Sequence, residues 1–379
     1  MPQNAFRTTI LSQDAPPRIP VARPLLPTTV ALTPYLERID EARWYSNFGP
    51  LLVELETRLA ARFARPTAVA TVANGTLAIT LALQALGCEA GGLCAMPAWT
   101  FAATAHAVRQ AGLEPWLLDV DPVTWMLDPA ATVEALAVAP APVSAIVPVS
   151  AFGALPDLHA WAKVAKQTGV PVLVDAAAAF DSLTAAPVPV TVSLHATKLV
   201  STGEGGFVAS EDEGLIARVR ELTVFGFRGD RQSHVLATNA KLSEYAAAVG
   251  LASLDAWPQS RGRLAFAAQH LKMALALTPE VTFQSGWGSN WQSSVCVVGL
   301  PDGRAGDIAS RLSGAGIDTR AWWGEGCHGQ YAFEDCLRLA LPVTDRLAAS
   351  TLGLPFFADM PEAAAWRIVD ALMTALKES

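Results

Sequence analysis

Apolar and polar positions alternate along the first half of the chain in two interleaved periods. Leu52, Leu55, Leu59 and Phe63 recur at helical spacing and predict a helix over Leu51–Ala64. Short apolar runs without that spacing predict strands at Ala68–Thr71, Leu93–Met96, Pro115–Asp119, Ala145–Val149 and Val170–Val174. Helical segments such as Leu77–Leu86, Phe101–Ala111 and Asp157–Gln167 fall between them. Strand and helix alternating at this interval predict an α/β fold, with a mostly parallel sheet covered on both faces. A late β pair, Ser193–His195 and Gly206–Ala209, follows. Two long helices are then expected, over Ser243–Trp257 and Arg263–Leu277. The remainder mixes a strand at Ser294–Val298 with helices at Ala305–Gly314 and Glu362–Leu376. This divides the chain into an extended N-terminal arm (1–27), a large domain (28–255) and a smaller C-terminal α+β domain (256–379).

The chain has 379 residues, 51% of them hydrophobic and 16% charged, enough for a large core and too apolar for disorder. Mean hydropathy is +0.30. Pro, Gly or charge interrupts every long apolar run, as at Cys88-Glu89-Ala90-Gly91-Gly92, so no membrane span is expected. A broad subunit interface would absorb the excess apolarity. The first 27 residues lack a signal-peptide core, and cytoplasmic placement is expected. The five cysteines are scattered without zinc-type spacing and read as free thiols in a reducing compartment. A net charge of −8 argues against a nucleic-acid partner. It leaves room for a diphosphate, which a few arginines can hold.

The candidate chemistry centres on Lys198. It lies in Ser193-Leu194-His195-Ala196-Thr197-Lys198-Leu199, just before the turn Gly203-Glu204-Gly205-Gly206. A lysine among apolar neighbours has a lowered pKa, because burial disfavours its charged form, and a neutral amine attacks aldehydes. Asp175 ends the strand at Val170–Val174, where sheets of this kind place ligands. An ionised Asp there suits the ring nitrogen of pyridoxal 5′-phosphate (PLP), although it equally suits the cap of a helix over Ala176–Phe180. Asn74-Gly75-Thr76 opens a helix behind a strand, and helix-start N–H groups with a close-approaching Gly make an anion site. Trp99 and Phe101 are core aromatics or stacking platforms for a flat cofactor. His106, His159, His270, Lys163, Lys166 and Lys272 read as structural or surface groups. Arg228 and Arg231 sit on an expected loop and are open to phosphates or to solvent.

In their order, these blocks resemble the DegT/StrS-type family of PLP-dependent nucleotide-sugar aminotransferases, of the aspartate aminotransferase fold (fold type I). The resemblance runs from Trp44-Tyr45-Ser46-Asn47-Phe48-Gly49-Pro50 through Asn74-Gly75-Thr76, Pro97–Thr104, Phe152-Gly153, Asp175-Ala176-Ala177 and Ser193–Gly206. It continues to Asn239-Ala240-Lys241-Leu242-Ser243-Glu244-Tyr245 and ends near Leu352-Gly353-Leu354-Pro355. It implies a seven-stranded type of sheet and PLP as cofactor. It makes Lys198 the Schiff-base lysine and proton shuttle, and Asp175 the pyridinium partner. It makes Gly75, Thr76 and Ser193 the phosphate cup, and Phe101 the ring-stacking aromatic. Asn239 would reach the cofactor phosphate of a neighbouring subunit, which implies a homodimer with shared active sites. No metal is implied.

The implied substrates are L-glutamate and a nucleotide-linked keto-sugar, dTDP-4-keto-6-deoxyhexose first. The product would be a deoxyamino sugar of the kind built into lipopolysaccharide O-antigens. A 3-keto sugar or a UDP or GDP carrier stays open. A PLP-dependent sugar dehydratase is a rival, but such relatives carry His in place of the lysine. A non-enzymatic sensor of the same fold is another, and no DNA-binding domain is visible in the sequence. Two departures stand out. Ala178 occupies the position where the family carries a polar residue beside the cofactor's phenolic oxygen, and the segment between Asp175 and Lys198 is short.

Overall fold

Two N-terminal helices, α1 (Thr29–Ala42) and α2 (Pro50–Ala60), lead into the central sheet of a computed structural model describing residues 17–276, 278–301 and 303–377. The expected arm therefore lies partly outside the described residues. From residue 17 onward it straps the C-terminal part: Ile19 exchanges backbone bonds with Gly316 and Asp318, and Val21 accepts from Phe356.

The strands are β1 (Ala68–Val72), β2 (Leu93–Pro97), β3 (Glu114–Leu118), β4 (Val143–Ile146), β5 (Val174–Asp175), β6 (Val190–Ser193) and β7 (Gly206–Ser210). Ladders join β3-β2-β4 and β5-β6-β7-β1. Parallel bridges Ile146–Val172 and Val149–Asp175 connect the two groups across β4 and β5. The order is thus β3-β2-β4-β5-β6-β7-β1, with only β7 antiparallel to its neighbours. Every residue of β2 and β6 is buried, as expected of strands covered on both faces. The covering helices are α3 (Gly75–Ala85), α4 (Ala102–Gln110), α5 (Pro129–Leu136), α6 (Leu158–Thr168) and α7 (Glu213–Thr223).

Helix α8 (Glu244–Leu275) is one 32-residue element where two were expected. Pro258 lies inside it, although an interior proline costs about 3 kcal/mol. Packing against α1, α2 and α11 (Glu362–Lys377), with Leu251, Trp257, Leu264 and Leu271 buried, outweighs that cost. The position 255/256 falls within this helix. Beyond it, β8 (Thr282–Phe283), β9 (Cys296–Gly299) and β11 (Thr351–Leu354) form an antiparallel sheet with α9 (Ala305–Gly314), α10 (Pro342–Ser350) and α11. A further strand, β10 (Leu337–Arg338), leaves this unit and pairs with β3, so the central sheet gains an eighth strand. Two residues are too few for a periodic signal. The expected helix over Ala176–Phe180 is absent and the segment turns instead. The Asp175 carboxylate caps that turn by accepting from Ala177 N at 3.0 Å. The five cysteines carry free thiols. Among the described residues no helix is long and apolar enough to cross a membrane.

Candidate active site

Asp175 is fixed before its side chain is considered. Its N–H donates to Pro148 O (2.9 Å) and its carbonyl accepts from Ser150 N (2.8 Å), which anchors the end of β5 against β4. The residue is 4% exposed. Thr104 Oγ1 donates to its Oδ2 at 2.8 Å, and Thr100 and Thr104 are hydrogen-bonded to each other. Burial pushes the Asp175 carboxyl up, while Thr104, the Ala177 N–H and the charge of Lys198 pull it down. For Lys198 the burial cost pushes the amine down, and Asp175 opposes it. The two groups are therefore electrostatic partners in one enclosed place. Thr104, whose one sequence signal is its place a helical turn after Phe101, joins them through its hydrogen bond to Asp175.

The lysine loop is held from both ends. Leu194 N donates to Gly205 O (2.8 Å), Ala196 N to Gly203 O (2.7 Å) and Lys198 N to His195 O (2.8 Å). Ser201 N donates to Ser253 Oγ on α8 at 3.1 Å. His195 Nδ1 pairs with Thr197 Oγ1 at 2.9 Å, which keeps that ring within the loop wall.

Gly75 and Ser193 meet at the carboxyl ends of β1 and β6. A Cβ on Gly75 would lie 2.9 Å from Ser193 Cβ and 3.1 Å from its Oγ, so only glycine lets α3 start this close to Ser193. Gly206 allows the matching approach on β7, where a Cβ would stand 2.9 Å from Gly75 N. Asn74 caps α3 by accepting from Leu77 N at 2.9 Å. The N–H groups of Gly75 and Thr76, ahead of the first helical bond, are the ones that suit an anion. Of the two aromatics, Trp99 is core: it meets Phe152 and Trp323 edge-on at 6.4 and 5.3 Å. Phe101 sits at the N-cap of α4 and is 59% exposed, an open aromatic face.

Asn239 stands apart. It is exposed, accepts from Lys241 Nζ at 2.5 Å, and forms no bond with Lys198, Asp175 or Ser193 among the described residues. Its partner Lys241 lines a surface recess of about 780 Å³, together with Asn47, Phe48, Phe225 and Arg228. Arg228 is held by Glu221 at 2.8 Å. A second cavity, of about 330 Å³, adjoins Lys198 on the side of the arm, α8 and the C-terminal sheet. Among the described residues no cluster of His, Cys, Asp and Glu is suited to hold a metal.

The set fits PLP: an anion cradle without room for a Cβ, a free aromatic face, a buried carboxylate and an amine that burial makes neutral more readily. Comparison with known proteins agrees. The family model "DegT/DnrJ/EryC1/StrS aminotransferase family" matches residues 29–373. The dTDP-4-amino-4,6-dideoxy-D-glucose transaminase of Shigella dysenteriae is 34% identical over 62% of this chain and 64% of its own length. The crystal structure of DesI in the presence of its TDP-sugar product matches with a TM-score of 0.85 and 33% identity, over 96% of this chain and 94% of that one. A putative PLP-dependent aminotransferase from Bacillus cereus matches with a TM-score of 0.86 and 28% identity, over 94% and 100%. The chain spans about 60% of the length of the Mycobacterium relatives it matches.

Proposed function

The chain belongs to the DegT/DnrJ/EryC1/StrS aminotransferase family, whose cofactor is PLP, and we propose that it transfers an amino group from L-glutamate to a nucleotide-linked keto-sugar. The observation that carries this reading is the Lys198–Asp175 couple beside the Gly75–Ser193 cradle. Gly75, Thr76 and Ser193 would hold the cofactor phosphate, Phe101 its ring face and Asp175 its ring nitrogen. Bound there, PLP supplies an electron sink and a carrier for the amino group. The protein's part is proton control. Lys198 Nζ would take the proton from the donor's α-carbon and hold it for return, and its lowered pKa keeps the amine in its basic form nearer neutrality. Burial raises the Asp175 carboxyl, and the hydrogen bonds from Thr104 and the Ala177 N–H favour its anion against that cost.

Similarity to the Shigella dTDP-4-amino-4,6-dideoxy-D-glucose transaminase and to DesI with its TDP-sugar product supports a dTDP-4-keto-6-deoxyhexose as the acceptor. The recess lined by Lys241, the hydrogen-bond partner of Asn239, and by the exposed Phe225 suits a second copy of this chain, which would place Asn239 at the partner's cofactor phosphate. Free thiols fit a cytoplasmic enzyme. The test is incubation with PLP, L-glutamate and dTDP-4-keto-6-deoxyglucose, following 2-oxoglutarate. Stoichiometric 2-oxoglutarate and amino-sugar support the reading. Product only from a UDP- or GDP-linked or 3-keto sugar would replace the acceptor, and none from any of them would overturn the function.

A further inference from the structure

The cavity beside Lys198 is lined by three cations, Arg23, Lys198 and Arg263, and by no carboxylate. Arg23 is already engaged, 3.4 Å from Asp359 and stacked on the Phe357 ring. Burial suppresses the charge of Lys198. Arg263 is the cation left over: it is exposed, lines the cavity, and has no hydrogen bond or ion pair among the described residues. It is not isolated by accident of sequence. Ala256, Gln259, Ser260, Arg263 and Leu264 follow helical spacing and present one stripe of α8 to the cavity, with Ser253 one turn before it. Ser253, Gln259, Ser260 and Arg263 give that stripe its polar groups, whereas the next turns bury Ala267, Ala268 and Leu271. Trp322 and Phe356 supply an apolar wall.

Arg263 is the charge this cavity offers to a guest, and it attracts an anion. A guanidinium fork fits a carboxylate or phosphate with two parallel bonds. Size separates these guests. About 330 Å³ lies at the lower limit of small-molecule sites, which run from about 300 to 1,000 Å³, and it suits an amino acid better than a nucleotide-sugar. We propose that Arg263 is a specificity-determining residue that binds a carboxylate of the amino donor in the cavity beside Lys198. This rests on the aminotransferase reading and adds to it the residue that selects an anionic amino donor.

The experiment separates the two. Glutarate, which carries two carboxylates and cannot react, is titrated calorimetrically into the protein, and dTDP is titrated in parallel. An ionic hydrogen bond is worth about 1.5–3 kcal/mol, so Arg263→Gln should weaken glutarate about ten- to hundredfold and raise the KM for glutamate in step. Affinity for dTDP and the KM for the keto-sugar should stay within about twofold. Arg263→Lys should recover part of the glutarate affinity. The residue is exposed, so neither change threatens the fold. Loss of dTDP binding with glutarate unaffected would make the guest a phosphate and overturn the assignment. So would glutarate binding equal to wild type in Arg263→Gln. In that case wild-type transamination with glutamate would leave the proposed function standing. Arg263-dependent glutarate binding in a protein that transaminates nothing would sink the function and keep the cavity.

Discussion

Lys198 and Asp175 each offset the other's cost of burial. Burial pushes the lysine down and the aspartate up, and each charge pulls its partner back. The sign of a mutation's effect follows. Asp175→Asn removes the one influence that raises Lys198, so the lysine pKa falls further. In cofactor-free protein, the pH midpoint for acylation of Lys198, read by mass spectrometry, should move to lower pH. The folded-state pKa lies below the unfolded one, so this group's contribution to stability grows as pH rises from the folded value towards that of an ordinary lysine. An unchanged or higher midpoint in Asp175→Asn would show that the two charges do not communicate.

Gly75→Ala tests the cradle. The new methyl would stand 2.9 Å from Ser193 Cβ, and α3 must retreat from the anion position. We expect a loss of PLP affinity of about tenfold or more by fluorescence titration, with the far-ultraviolet circular dichroism unchanged. Unaltered affinity would remove Gly75 from the phosphate cup.

Glu244 serves stability. Gly49 offers α2 no side-chain cap, and the buried Glu244 carboxylate accepts from Leu51 N and Leu52 N at 2.8 and 2.9 Å instead. Glu244→Ala strands both donors and should lower the free energy of unfolding by about 2–4 kcal/mol in urea titration. A change below about 0.5 kcal/mol would mean that water replaces the carboxylate.

Assembly is open to complementation. Chains carrying Lys198→Ala and chains carrying Asn239→Ala, each impaired, should regain activity when unfolded and refolded together, because a mixed dimer holds one intact site. Each mutant refolded alone is the control. A mixture no more active than those controls, with heterodimers present by native mass spectrometry, would confine each site to one chain.

How far the sequence carried this account depended on element length and on what holds each residue. The pattern of apolar and polar positions located β2 and α9 because those elements are long enough to show it. It divided α8 at Pro258, since a proline normally ends a helix and the packing that overrides it comes from α1, α2 and α11. It missed β10, two residues whose strand state exists only against β3. At the site, Lys198, Asp175 and the Asn74-Gly75-Thr76 turn were legible because their chemistry needs particular residue types. Thr104 and Arg263 were not. One acts through a hydrogen bond to a strand far away in sequence, and the other is an ordinary surface arginine until the fold closes a cavity around its helix face.

The central claim is that Lys198 carries PLP in an active transaminase, and borohydride reduction of the PLP-loaded protein tests it most directly. Peptide mapping should then find the phosphopyridoxyl label on Lys198, and prior treatment with L-glutamate should prevent the labelling by discharging the lysine. A label on another lysine, or labelling of Lys198 that glutamate leaves untouched, would contradict it.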